Sequence, residues 1–464
     1  MFDVSFAKLR ACACLGPVWL AALPAVGCVS AQTSQRLDRS YDQASQQLRK
    51  PLTAKQTPTI DPTAPLDRET VVKMAVAKSP SLAAMAHRAR ALVHAGRAEG
   101  SLPPPELGAE AWNLPLARPY AVGEADMYMV ELSQRFPPAG SRDGRARAMA
   151  EEAQIVLAEV ATEERLVAEQ AANAFVEYAQ AFEEQRLHQR HLALLDRMSQ
   201  AIRARYASGG SGLADVARLE IEVSKVHRGV ARIEGDIVRA RSALNVLLRR
   251  PISAPLGEPR QVSPETIRLP IDDLLSRATS NRGSTLAADA RVAAAAARRD
   301  AAESEANVPE FMVGLGYWQA PEMRAGVGAT ASMSLPWLWG PGRQRVYQAQ
   351  EEEAAERSER DGTGLESQSE VSEAYARLVA FEQQLVTIRK QALPAARRSI
   401  DAVTAAFSTG KVSLLEWVDA QRSVLELEME VLDLQGEIAH GVNALERAVG
   451  APLPRVALAL EQAP

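Results

Sequence analysis

Residues 206–251 read YASGGSGLADVARLEIEVSKVHRGVARIEGDIVRARSALNVLLRRP, and residues 407–452 read FSTGKVSLLEWVDAQRSVLELEMEVLDLQGEIAHGVNALERAVGAP. The two blocks align without a gap at a constant offset of 201: Tyr206 meets Phe407, Gly209 meets Gly410, Asp215 meets Glu416, and both close on a proline, Pro251 and Pro452. In the first block Leu219, Val223, Val226, Val230, Ile233, Ile237, Ala240, Leu244 and Leu247 step alternately by four and three; Val424, Leu427, Val431, Leu434, Ile438 and Leu445 follow the same pattern in the second. Alternating steps of three and four are a heptad seam, and such a seam predicts long helices packed knobs-into-holes.

Working outward, Pro105-Glu106 matches Pro309-Glu310, and Ser133 to Pro137 matches Ser332 to Pro336. The repeat is therefore about 200 residues, far longer than a solenoid unit, and marks duplication of a whole module. The first repeat is placed at 66–255 and the second at 256–455, with a tail at 456–464. Each module reads helix, strand, strand, long helix, heptad helix. In the first, a helix over about 67–101 is followed by Pro103-Pro104-Pro105. A run from Asp143 to Ser208 then holds 66 residues with Gly144 its only glycine and no proline. As a helix it would be about 100 Å long, which no compact domain needs. The heptad helix spans about 214–249. In the second module, Gly362, Gly364 and Pro394 are expected to bend or loosen the run from Arg343 to Thr409.

Between the helices lie stretches of period two. In 126–136, Tyr128, Val130, Leu132 and Phe136 share a face opposite Met127, Met129, Glu131, Ser133 and Arg135. In 310–318, Phe311, Val313, Leu315 and Tyr317 alternate with Met312, Gly314, Gly316 and Trp318; in 326–335, Val327, Ala329, Ala331, Met333 and Leu335 alternate with Gly326, Gly328, Thr330, Ser332 and Ser334. Residues 106–114 alternate less cleanly. The lengths suit tilted membrane-crossing strands, and the small, polar second face suits a water-filled lumen better than a packed core. Four strands cannot close a barrel, and an open edge in lipid would leave N–H and C=O groups unpaired, so several chains must pool their strands.

Lys plus Arg total 53 and Asp plus Glu 58, a net charge of −5, which excludes nucleic-acid binding built on overall positive charge. Aromatics are only 5% against 47% apolar residues, so Ala, Leu and Val carry the hydrophobicity, as in long helices. Cys12, Cys14 and Cys28 all lie in a segment that reads as an export signal: Lys8 and Arg10, then a largely apolar run from Ala11 to Val26. Two cleavage sites compete. Val29-Ser30-Ala31 suits cleavage before Gln32, giving a signal peptide of residues 1–31; Ala25-Val26-Gly27-Cys28 resembles a lipobox that would leave a lipidated Cys28. Either product lacks a cysteine pair, and so lacks a disulfide framework. Residues 32–65 form a polar N-terminal segment with four prolines, read as an extended leader with little core of its own.

At this point the chain resembles a family. Ala75-Val76-Ala77-Lys78-Ser79-Pro80-Ser81-Leu82, the Leu132-Ser133-Gln134-Arg135-Phe136-Pro137 strand end with Gly140 after it, and Gly410 to Gln421 together resemble the TolC-like outer membrane efflux proteins of Gram-negative bacteria. The resemblance runs from about 66 to 455. It implies a mainly α fold with a small β part: four transmembrane strands and a long α-helical barrel section per chain, completed as a homotrimer with a 12-stranded barrel. It implies a passive exit duct in the outer membrane that spans into the periplasm. A periplasmic adaptor and an inner-membrane pump of the resistance–nodulation–division type would be its partners, with outer membrane lipid around the barrel and no cofactor. Asn113-Leu114-Pro115 with Ser133 to Gly140 looks most like the members that serve heavy-metal pumps. By the same resemblance Glu416 and Asp419 match acids lining a closed aperture, and Asp215 a hydrogen-bond partner at that gate. Acids at a helix start also simply complement the macrodipole, so capping is the competing reading. The family often has Asn-Pro where this chain has Ser79-Pro80, and the extra glycine pair Gly209-Gly210, with Gly212 nearby, leaves the first turn's geometry open.

Other motifs weigh less. Gly326-x-Gly328-x-x-Ala331 lies inside an alternating strand, the wrong context for a dinucleotide fingerprint. Ser408-Thr409-Gly410-Lys411 lacks the first glycine of a phosphate loop, and no Gly-x-Ser-x-Gly elbow occurs, so no enzymatic activity is expected. His188 and His191, one turn apart, are read as a solvated face and not a metal site, as are the runs Glu183-Glu184 and Glu351-Glu352-Glu353. Met127 and Met129 read as lumen filler. Trp337 and Trp339 follow the last long strand and are read as an interfacial girdle. A non-pore periplasmic coiled-coil scaffold or adaptor is the alternative function.

Overall fold

The computed structural model describes residues 29–53, 60–261, 264–320 and 324–458. In chain order these form α1 (Ala31–Thr53), α2 (Arg68–Ala77), α3 (Pro80–Gly100), β1 (Glu106–Trp112), β2 (Met127–Phe136), α4 (Ala139–Ala207), α5 (Leu213–Leu247), β3 (Glu265–Thr266), α6 (Ile271–Asn281), α7 (Gly283–Asn307), β4 (Phe311–Gln319), β5 (Gly326–Met333), α8 (Gly342–Thr387), α9 (Leu393–Ser408), α10 (Leu414–Val449) and β6 (Val456–Ala457). The order helix, helix, strand, strand, long helix, heptad helix occurs twice, as the duplication requires. The chain divides into two compact units. One holds residues 29–41, 91–153 and 291–356; the other holds the remaining described residues.

The first unit carries the sheet, antiparallel throughout in the order β1-β2-β4-β5. The register puts Leu107, Leu132, Leu315 and Ala329 in one cross-strand row and Ala109, Val130, Tyr317 and Val327 in the next. These rows share a face, since side chains two apart point the same way. That face is bare: Leu107 is 75% exposed, Leu315 64% and Val327 81%. The opposite face carries Glu106, Glu131, Ser133, Thr330 and Trp318. Trp318 lies flat over Gly326 and Gly328, where a Cβ would collide with its indole. Residues 32–53, part of the segment expected to be an extended leader, are helical instead. Leu37 and Tyr41, one turn apart, reach Leu92, Val93, Ala150 and Ala153, so the polar segment does own an apolar stripe.

In the second unit the heptad seam behaves as read. Leu219, Val226, Ile233, Ala240 and Leu244 of α5 and Val424, Val431, Leu434, Ile438 and Leu445 of α10 are buried. One cluster joins Leu66, Val71 and Met74 to Phe175, Tyr178 and Leu244. A parallel one joins Leu274 and Ala278 to Val371, Leu378, Ile438 and Leu445. Three details differ from expectation. The single helix over 67–101 is broken after Ala77, because Pro80 lacks an N–H and disfavours helical backbone at Ser79. The second copy breaks at the same place without a proline, through an extended Arg282 (φ −71°, ψ 126°). Gly362 and Gly364 sit inside α8 without interrupting it, whereas residues 388–392 form a π-helical turn just before Pro394. Proline removes a ladder hydrogen bond and glycine only a side chain, so the proline alone leaves a mark.

Candidate functional site

Two places gather the residues singled out in the sequence: the sheet and the tip of the helical hairpins. At the tip, α4 and α5 form one hairpin and α9 and α10 a second. The first turns at Gly209 (φ +77°), whose N–H bonds to Tyr206 O at 3.0 Å, with Gly210 N bonding to Arg205 O at 2.7 Å. The second turns at Gly410 (φ +74°), with Gly410 N to Phe407 O at 3.1 Å and Lys411 N to Ala406 O at 3.0 Å. A left-handed backbone is nearly free for glycine and costly for other residues, which is why the glycine recurs at both turns. The extra glycines Gly210 and Gly212 stand where the second turn has Lys411 and Ser413 and leave the geometry unchanged.

Asp215 and Glu416 take equivalent positions. The Asp215 carboxylate accepts from Gly212 N at 3.4 Å. Glu416 accepts from Ser413 N at 3.1 Å while Ser413 Oγ accepts from Glu416 N at 3.4 Å, a reciprocal capping box. Asp419 is exposed one turn on, with Arg422 Nη1 at 3.6 Å. Each of the first two acids therefore caps its own helix, and Glu416 and Asp419 share one solvent-facing stripe.

Beneath these acids the two hairpins are joined. Leu195, Ile202, Leu219 and Val226 from the first pack with Leu414, Trp417 and Val418 from the second. Trp417 is 1% exposed and donates Nε1–H to Thr404 Oγ1 at 3.0 Å. Arg422 donates two N–H groups to the Glu222 carboxylate, Nε at 3.1 Å. Burial pushes the Glu222 carboxyl up, but the bonds from Arg422 and Lys225 outweigh it and hold it below the usual glutamate range. His191, read as solvated, is buried at 8% exposure, with Nδ1 3.3 Å from Gln421 Nε2. Glu353, in another run read as solvated, is also buried, on Arg299 at 2.7 Å. Partners more than fifty residues away cover both, which a local charge pattern cannot show. Glu222, Arg422 and Trp417 were not singled out. Leu414, Trp417, Gln421 and Val424 step by three, four and three, so the seam itself pointed at Trp417.

On the polar face of the sheet Thr330 Oγ1 donates to Glu131 at 2.6 Å. Arg135 lies between Glu106 at 3.6 Å and Glu310 at 3.3 Å. Met127 and Met129 lie on this face, opposite Trp112 and Glu110 of β1. Trp337 (53%) and Trp339 (83%) stand exposed in the turn after β5. Among the described residues no helix is long and apolar enough to cross a membrane. Cys28 lies outside the described residues.

Each repeat thus builds a long helical hairpin and supplies two strands to one four-stranded sheet that is apolar on one face. Residues 274–451 match the model of the outer membrane efflux protein family. No curated protein matches the chain in sequence. Among solved structures, CusC superposes with a TM-score of 0.72 at 16% identity, over 86% of this chain and 96% of its own. The outer membrane protein VceC of Vibrio cholerae gives 0.68 at 19% identity, covering 83% of this chain and 96% of its own. The open-state MtrE outer membrane channel of Neisseria gonorrhoeae gives 0.68 at 20%, covering 83% and 89%. The chain thus has the fold of these channels across both repeats.

Proposed function

We propose that this protein is the trimeric exit duct of a tripartite efflux system, spanning the outer membrane and reaching into the periplasm. The observation that carries this is the sheet: four strands, apolar on one face and polar on the other, with β1 and β5 as open edges. Such edges are untenable in lipid unless other copies pair with them, and three chains supply twelve strands. The polar face then lines a lumen that conducts passively, with no chemistry of its own. Trp337 and Trp339 would sit at the periplasmic lipid boundary. An adaptor and an inner-membrane pump of the resistance–nodulation–division type would load the duct, and metal ions or drugs are its substrate classes. The bare apolar rows argue against the soluble scaffold.

Lipidation of Cys28 belongs to the same reading, and residues 29–33 support it. Ser30 N donates to Asp143 at 2.8 Å, and Ser30 Oγ accepts from Thr33 N at 3.2 Å as the cap of α1. Cleavage before Gln32 would discard this cap and this clasp. An acyl anchor would assist the barrel without replacing it. Mass spectrometry of the detergent-extracted protein tests both claims. The native particle is expected to hold three chains, each starting at a diacylated or triacylated Cys28. A monomer that still inserts into membranes ends the trimer reading, and a chain starting at Gln32 ends the lipid reading.

Glu416 and Asp419, three copies of each, would form two acidic rings at the aperture, with Asp215 on the neighbouring hairpin. Rings of carboxylates attract cations and exclude anions. Single-channel recording of Glu416→Ala with Asp419→Ala is expected to show higher conductance or lower cation preference, and weaker block by multivalent cations. Unchanged conductance, selectivity and block in an intact trimer would reduce these acids to helix caps.

A further inference from the structure

We propose that His191, together with Gln421 and the Glu222–Arg422 ion pair, forms an acid-sensitive latch between the two hairpins of one protomer. Four helices meet there. From α4 come His191 and, one turn back, His188, whose Nδ1 lies 3.1 Å from Glu184 O of its own helix. From α5 comes Glu222, 8% exposed, with Lys225 Nζ at 3.0 Å. From α10 come Gln421, Arg422 and Glu428, and from α9 comes Arg397, which holds Glu428 at 2.9 Å. The latch is the polar part of an otherwise apolar seam: Leu195, Val226 and Trp417 pack in the same inter-hairpin cluster. A buried polar group that must stay neutral and a buried acid that must stay charged are both conditional on pH in a way apolar packing is not.

The two halves of the latch respond at different pH. Burial, and then the neighbouring His188, push the His191 imidazole below its ordinary 6.5, while Glu428 and Glu222 oppose the shift without reversing it. The packed arrangement therefore favours neutral His191. Its stability is full above pH 6.5 and declines as pH falls below 6.5, where a freed imidazole would take a proton that the packed one resists. Glu222 is depressed from 4.5, so its pairing with Arg422 survives until pH falls below 4.5. Between those values only His191 acts. Mild acid would thus loosen the second hairpin from the first while the ion pair still holds. That this widens the aperture rests on the channel reading, but the loosening itself does not.

Hydrogen exchange of the full-length protein in detergent separates the two. Wild type and His191→Gln are compared at the same pH, so that the intrinsic pH dependence of exchange cancels. Backbone amides across 216–226 and 414–424 are expected to exchange alike at pH 7.5. At pH 5.5 the wild type is expected to exchange faster, by up to about tenfold, the ceiling set by one pH unit of proton uptake at a freed histidine. His191→Leu, referenced to its own behaviour at pH 7.5, should be equally insensitive to acid and guards against a packing defect in the first variant. An unchanged wild-type to variant ratio at both pH values overturns the latch. So does an acid response that disappears in Glu416→Gln with Asp419→Asn but persists in His191→Gln. Neither readout needs a conducting pore, so a failed latch and a failed duct give different results.

Discussion

Replacing Leu315 with arginine is expected to abolish most of the assembled protein in the outer membrane, whereas Ser332→Glu should leave it nearly intact. Leu315 sits in the middle of the row Leu107, Leu132, Leu315 and Ala329, on the face where it is 64% exposed. An arginine facing lipid near the midplane of a barrel costs about 2–4 kcal/mol. A trimer would carry that cost three times. Ser332 lies in the row of Arg135 and Met312 on the opposite face, which takes charge readily. The measurement is the amount of native trimer extracted from membranes. If the two variants accumulate equally, the apolar face does not meet lipid, and the soluble scaffold regains its case.

Trp417→Ala is expected to unfasten the tip of the second hairpin. The indole is buried among Leu195, Ile202, Leu219 and Val418, and its one N–H is satisfied by Thr404. Truncating a buried tryptophan costs about 3–5 kcal/mol, through lost transfer energy and the cavity left behind. Because about 1.4 kcal/mol is a factor of ten, amides across 414–424 should open about a hundredfold more often, or beyond. Leu415, next to it but 44% exposed, should tolerate alanine within about 0.5 kcal/mol. Trp417→Phe keeps much of the ring yet leaves the Thr404 hydroxyl without its donor, so it should fall between the two. Equal protection in Trp417→Ala and Leu415→Ala would mean that the tip is held by something other than this core.

Much of the architecture was legible because its signals are periodic. The seam from Leu219 to Leu247 foretold α5 and, through the offset of 201, α10. Period two at 126–136 and 310–318 foretold β2 and β4. Where apolar content was sparse the reading failed: Leu37 and Tyr41 were too few to announce α1 among so many polar neighbours. The breaks after Ala77 and Asn281 were missed for another reason. Neither is marked by a change in apolar content, and it is the backbone at Lys78 and Arg282 that departs from helix.

By itself the sequence determined most of the long elements, their duplication, and which face of each of those strands and helices is apolar, because those properties depend on residues within a few positions of one another. The tertiary structure alone decided which faces meet. Nothing near His188 says that His191 is covered by Gln421, 230 residues away, and nothing near Glu222 names Arg422 as its partner, 200 residues on. Burial and ion pairing are set by what packs opposite a side chain, and a linear pattern does not contain the far side of that contact.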